Sequence, residues 1–181
     1  LAPDVLAAGA TPWGVPELVE ALVESLPRPA QLELARVAQV RGVQRQLAKS
    51  LGRTAASLAA GIAATPIPLA DLPVLTALQT AMVMAIGYVS GRRFSVSTLA
   101  EFLGAMGLNT GVGFAARTLS RQVAKLMPFA GSAASAAVAY GTTVGLAQAA
   151  IAYFIEGQPL GEARRVFDEE RAKAEEDAPV D

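Results

Sequence analysis

Residues Phe129–Ile155 read FAGSAASAAVAYGTTVGLAQAAIAYFI, twenty-seven positions without one charged side chain or proline. Ala133, Ala137, Gly141, Gly145 and Ala149 recur every fourth position. That spacing lines small side chains along one side of an α-helix. Such a side lets another helix approach almost backbone to backbone. Glycine inside a helix costs about 1 kcal/mol relative to alanine, so its repeated use implies packing that offsets the cost. The expected fold is therefore all-α: an Ala/Gly-rich, close-packed helical bundle, with close helix packing at Ala137, Gly141 and Gly145. The same four-residue spacing recurs at Gly87/Gly91 and Gly107/Gly111. Composition agrees, because hydrophobic residues make up 52% of the chain but aromatics only 6%, which leaves tight packing rather than bulky anchors to build the core.

Towards the N-terminus, prolines divide the chain. Leu1–Ala10 is short and apolar, the length of a strand end, with no second strand pattern to pair it. Pro16-Glu17 suits the first turn of a helix in which Leu18, Leu22 and Leu26 fall four apart beside Val15 and Val19, with Glu17, Glu20 and Glu24 opposite. Pro27 and Pro29 end it. From Ala30 to about Thr54 the period predicts one amphipathic helix with an apolar stripe of Leu34, Val37, Val40, Leu47 and Leu51. Its other side carries Arg41, Arg45, Lys49 and Arg53, offset only by Glu33. Asp71 precedes Pro73 as an N-cap precedes a first-turn proline, predicting a helix to about Tyr88. Ser95 or Ser97 caps the next helix, through Leu99, Phe102, Leu103 and Met106. After a glycine-rich junction, Arg117, Arg121 and Lys125 form a second basic stripe ended by Pro128. Pro159 opens a last helix with Val166 and Phe167, which runs into an acidic tail.

Several chemistries are excluded by residue type. The chain has no Cys and no His, which removes thiol nucleophiles, Cys/His zinc sites, disulfides and imidazole acid–base catalysis. No GxxxxGK[ST] phosphate loop and no GxGxxG occur, and Lys49, Lys125 and Lys173 stand in no Ser-Lys arrangement. Asp71 and Glu101 are too isolated to propose as an acid–base pair. No catalytic, cofactor-binding or metal-binding residue is assigned, and the chain is not expected to be an enzyme.

Net charge is −1, which gives no general attraction to nucleic acid. Residues 1–158 hold 11 basic and 8 acidic side chains, whereas 159–181 hold 4 and 8. The two basic stripes, Arg41/Arg45/Lys49/Arg53 and Arg117/Arg121/Lys125, are either solvated faces or surfaces for anionic lipid headgroups or an acidic partner. Leu72–Ser90 and Leu126–Ile155 are long enough to span a bilayer, but Ala, Gly, Ser, Thr and Gln dilute them. The reading favours a soluble or peripheral bundle in the cytoplasm over spanning hairpins. The sequence starts at Leu1 without Met and without a visible secretory signal, as expected of a fragment or a processed chain.

Two stretches carry a family resemblance. Gly14-Val15-Pro16-Glu17-Leu18-Val19-Glu20-Ala21-Leu22, closed by Leu26-Pro27, resembles the terminal helix of an Era-like GTPase domain. That family's guanine-contacting Ser-Ala pair would fall at Ala8-Gly9, so no guanine contact is assigned. Thr65-Pro66-Ile67-Pro68-Leu69-Ala70-Asp71-Leu72-Pro73, followed by Gln79 and Met82 and a Gly-rich apolar half, resembles the YcjF-like domain of unknown function, over roughly Ser50–Gly157. Its signature positions here are Pro66, Pro68, Asp71 and Pro73.

That domain commonly follows such GTPase domains and is often described as membrane-associated. The resemblance implies three segments: 1–28, the end of a GTPase-like domain; 29–158, a helical bundle; and 159–181, a charged helix with an acidic tail. It further implies that GTP and Mg belong to a nucleotide-binding part outside this chain. The expected role is a non-catalytic C-terminal module that joins its parent GTPase domain to a membrane surface or partner. The alternatives are an integral helical-hairpin domain and a self-association module forming homo-oligomers.

Overall fold

The computed structural model describes residues 14–64, 71–92, 95–107 and 133–177, and within them the protein is all-α. Its helices are α1 (Val15–Ser25), α2 (Arg28–Ala38), α3 (Arg41–Ala64), α4 (Asp71–Val89), α5 (Val96–Ala105), α6 (Ala133–Ala150) and α7 (Leu160–Glu176). A π-helical turn, Ile151–Ile155, continues α6, and Glu156 N–H donates to Ile151 O at 3.0 Å. The signature positions Pro66 and Pro68 and the second basic stripe, Arg117, Arg121 and Lys125, lie outside the described residues.

Local chemistry sets most helix ends. Proline stands in the first turn of α1 and of α2, where its missing N–H has no helical partner to lose. Gln31 closes the corner between them, donating to Val23 O and Leu26 O at 2.9 Å each. α4 starts at Asp71 and takes Pro73 in its first turn. Ser95 caps α5, its Oγ accepting from Thr98 N–H at 3.1 Å.

One predicted helix is two. The period from Ala30 to Thr54 is interrupted at Gln39, which takes a left-handed φ of 51° and ends α2. The cause is tertiary. Buried Gln44 donates to Ala35 O at 3.2 Å and to Val89 O at 2.9 Å, so one amide satisfies terminal carbonyls of both α2 and α4. Beside it Gly91 has φ 69°, and a Cβ there would sit 2.9 Å from Arg36 O. The break turns Val37 out to 77% exposure, removing it from the predicted apolar stripe, while Val43 and Leu47 are buried. On α1, likewise, the buried side is Val19 and Val23, and Leu18 and Leu22 face outward. Val19 and Val23 belong to a small core with Ala35, Val43, Leu47 and Val89, and that contact decides between two apolar sides.

The main core centres on α6 and its π turn. Leu146, Ala150, Ile151, Phe154 and Ile155 meet Met82, Val83 and Ile86 of α4, Leu99, Phe102 and Leu103 of α5, and Ala163 and Phe167 of α7. Phe102, Tyr153 and Phe154 cluster with centroid separations of 4.8–5.6 Å, a spacing at which aromatic edges and faces attract. The small side of α6 is closely packed at its two glycines. A Cβ on Gly145 would lie 2.7 Å from Phe167 O, and one on Gly141 would lie 3.0 Å from Arg171 O, so both glycines rest on the backbone of α7. Ala137, on the same side, is half-buried. On another side α6 meets α3, where a Cβ on Gly52 would fall 2.5 Å from that of Ala147.

α7 is highly charged, and ion pairs three or four residues apart, such as Arg164–Asp168 and Arg171–Glu175, run along it. Its Ala163 and Phe167 are nonetheless buried in the main core. Ala133–Ile155 is long and apolar enough to cross a membrane, and 61% of its most apolar window is buried within the bundle. Pro73–Val89, inside the other window considered above, is a shorter apolar helix. Buried Gln79 and Thr143 join α4 to α6 through a 3.1 Å hydrogen bond, and the Thr143 hydroxyl also donates to Ala139 O at 2.8 Å.

Candidate anion-binding face

α3 carries every basic residue of the first stripe and no carboxylate. Arg41, Arg45, Lys49 and Arg53 are all exposed. Steps of four residues place them along one side of the helix over about 18 Å, at 1.5 Å per residue. The stripe predicted from spacing is therefore one continuous face.

Its members are not equivalent. Arg45 pairs with Glu156 just beyond the π turn, at 2.7 Å, and Gln158 Nε2 donates to the other Glu156 oxygen at 3.3 Å. Arg92 lies against the same turn, its guanidinium 2.6 Å from where a Gly157 Cβ would stand. Arg45 thus tethers α3 to the end of α6. No ion pair among the described residues involves Arg41, Lys49 or Arg53. Arg28 adds a further cation beside them, donating to Ser50 Oγ at 3.2 Å.

Two acidic residues reach α3: Glu156, held by Arg45, and Glu20, whose Oε1 lies 3.4 Å from where a Cβ on Gly42 would stand. Those of α7 pair within their own helix, as in Glu162 and Glu169 with Arg165, and Glu170 with Lys173. The Glu170 carboxylate holds the Lys173 ammonium above its ordinary pKa, first by hydrogen bonding and then by charge. Glu33 is held by Arg36 and by the Tyr88 hydroxyl, which donates to it. Arg41, Lys49 and Arg53 thus stay out of ion pairs among the described residues, while most acids of α7 are paired within their own helix.

Between α3 and α6 the surface dips into a cleft of about 140 Å³ lined by Lys49, Gly52, Arg53, Tyr140, Val144, Ala147, Gln148 and Ile151. Its shape follows from the Gly52–Ala147 crossing, which draws the two backbones together and leaves longer side chains standing on either side. Tyr140, Val144 and Gln148 come four apart from one side of α6, and Lys49 and Arg53 four apart from α3. Among the described residues none that lines it is acidic. Sequence reading found the two cations but not Tyr140 or Gln148, because nothing local to either helix says which partner it crosses.

The cleft brings two cations from α3 opposite a hydroxyl and an amide from α6. Among the described residues no three carboxylates gather as a metal site. Comparison with family models, with curated proteins and with solved structures gave no match. The resemblance to the YcjF-like domain therefore rests on the residues that carry it.

Proposed function

We propose that this chain is a non-catalytic helical module that docks on an anionic membrane surface through the basic face of α3, as the C-terminal part of a GTP-binding protein. The observation that supports it best is the row of Arg41, Lys49 and Arg53, three exposed cations engaged in no ion pair among the described residues, on a helix without a single acid. A basic residue near an anionic leaflet contributes about 1 kcal/mol, so three contribute on the order of 3 kcal/mol before any apolar contact. That is enough for reversible surface binding, released as salt rises.

The GTP-binding parent is drawn from the order of the two resemblances along the chain, and GTP and Mg would be bound there. A peripheral role is favoured over an integral one by Ala133–Ile155. Its glycine side rests on α7 and its Thr143 is tied to Gln79, so the helix already has protein partners on several sides. The same occupancy of Gly141 and Gly145 disfavours self-association through that side. Alkaline carbonate extraction of membranes from cells expressing the unbroken parent protein tests the distinction. Release into the supernatant is the expected result, and retention in the pellet would put Ala133–Ile155 in lipid.

A further inference from the structure

We propose that the cleft between α3 and α6 is a phosphomonoester site, in which Lys49 and Arg53 supply the charge and Tyr140 and Gln148 supply neutral hydrogen-bonding groups. It rests on the anionic-surface reading and sharpens it from a diffuse attraction to one chemical group.

Four features of the cleft converge on that ligand. Lys49 and Arg53 stand one helical turn apart and are in no ion pair among the described residues, so an entering anion displaces no carboxylate. A phosphomonoester carries about −1.5 to −2 charges near neutral pH, matching two cations better than a singly charged carboxylate or phosphodiester does. Arginine offers a planar fork to two phosphate oxygens and lysine a compact charge, a combination suited to three terminal oxygens. Tyr140 and Gln148 add a hydroxyl and an amide from the facing helix, and Val144, Ala147 and Ile151 make an apolar floor. Charge-assisted hydrogen bonds strengthen where water is partly excluded. The cleft, at about 140 Å³, is well below the roughly 300 Å³ at which small-molecule and cofactor pockets begin. It therefore suits one phosphate group rather than a whole nucleotide.

The phosphate is either the terminal group of a lipid headgroup or a soluble phosphomonoester, and the test separates them. The full chain is titrated with phosphatidylcholine vesicles containing phosphatidic acid or phosphatidylserine, matched in surface charge. Inorganic phosphate is titrated in parallel, with amide shifts read at Gly52 and Gln148. The expected result is a preference of about tenfold for phosphatidic acid, the effect of one good charge-assisted hydrogen bond. Tyr140→Phe combined with Gln148→Leu should lower that preference severalfold and leave phosphatidylserine binding unchanged, with Gln148→Leu alone as the milder variant should the pair fail to fold.

Equal binding to both vesicles with no phosphate-induced shift overturns the site while the surface reading stands. A preference undiminished by the double substitution also overturns it. Saturable phosphate shifts at Gly52 and Gln148 without vesicle binding assign the site to a soluble phosphomonoester and overturn the surface reading instead.

Discussion

Alanine at Gly145 should destabilise the protein, although alanine is the better helix former. The two effects can be weighed from the structure. Replacing an interior helical glycine gains about 1 kcal/mol of helix propensity. Against that, the new methyl would meet Phe167 O at 2.7 Å, Arg171 Cβ at 2.9 Å and Arg171 N at 3.1 Å. Two of those atoms are backbone of α7, which cannot swing aside as a side chain can, and Phe167 anchors that stretch in the core. Overpacking of this kind costs about 1–3 kcal/mol, so after the propensity gain a net loss of up to about 2 kcal/mol is expected. Gly61 supplies the control, because it lies inside α3 with nothing among the described residues within 4 Å of an added Cβ. Gly61→Ala should gain about 0.5–1 kcal/mol, from propensity alone. Urea denaturation followed by circular dichroism measures both, with Tm moving about 2–4 °C per kcal/mol for a chain of this size. If Gly145→Ala stabilised as much as Gly61→Ala, the close α6–α7 contact would be refuted.

Other expectations follow from buried polar groups and from pH. Thr143→Val leaves the buried Gln79 amide without its 3.1 Å partner, at a cost of about 1–3 kcal/mol. Adding Gln79→Leu should recover part of it, and a double-mutant cycle in urea reads the coupling. Gln44→Leu strips a donor from both Ala35 O and Val89 O, so a loss of roughly 1–3 kcal/mol is expected. Hydrogen exchange should speed up most at the α2–α3 and α4 termini. The raised pKa of Lys173 stabilises the folded state at pH values below the ordinary lysine value. That contribution is lost only as pH rises through the raised one. Wild type and Lys173→Met should therefore converge in stability at strongly alkaline pH, measured by thermal melts across that range.

The sequence made the helical class legible because Ala and Gly at four-residue spacing leave few other packings, and prolines at 16, 27, 29, 73 and 159 mark breaks by covalent geometry alone. It also made the close side of α6 legible, since Gly141 and Gly145 announce a near approach whatever the neighbour. The neighbour itself was not: α7 contributes only Ala163 and Phe167 as fully buried residues amid charges, too few to signal a core helix. Gln39 gave no warning because its left-handed turn packs against Gly91, just beyond the end of α4 and far along the chain. Leu18/Leu22 and Val19/Val23 are equally apolar sides of α1, and only packing against Val43 and Val89 selects the valines. For the same reason the basic stripe was readable from one helix, whereas the cleft needed the crossing of two.

The anionic-surface role is tested most directly by co-sedimentation of the full chain with phosphatidylcholine vesicles, with and without phosphatidylserine, for wild type and for the Arg41→Glu, Lys49→Glu, Arg53→Glu triple variant. These three side chains are exposed and in no ion pair among the described residues, so the variant should keep wild-type helicity. Wild type is expected to bind the phosphatidylserine vesicles only, to release as salt rises, and to bind at least roughly 100-fold tighter than the variant. Equal binding by a folded triple variant, or no wild-type binding at low salt, would contradict the role.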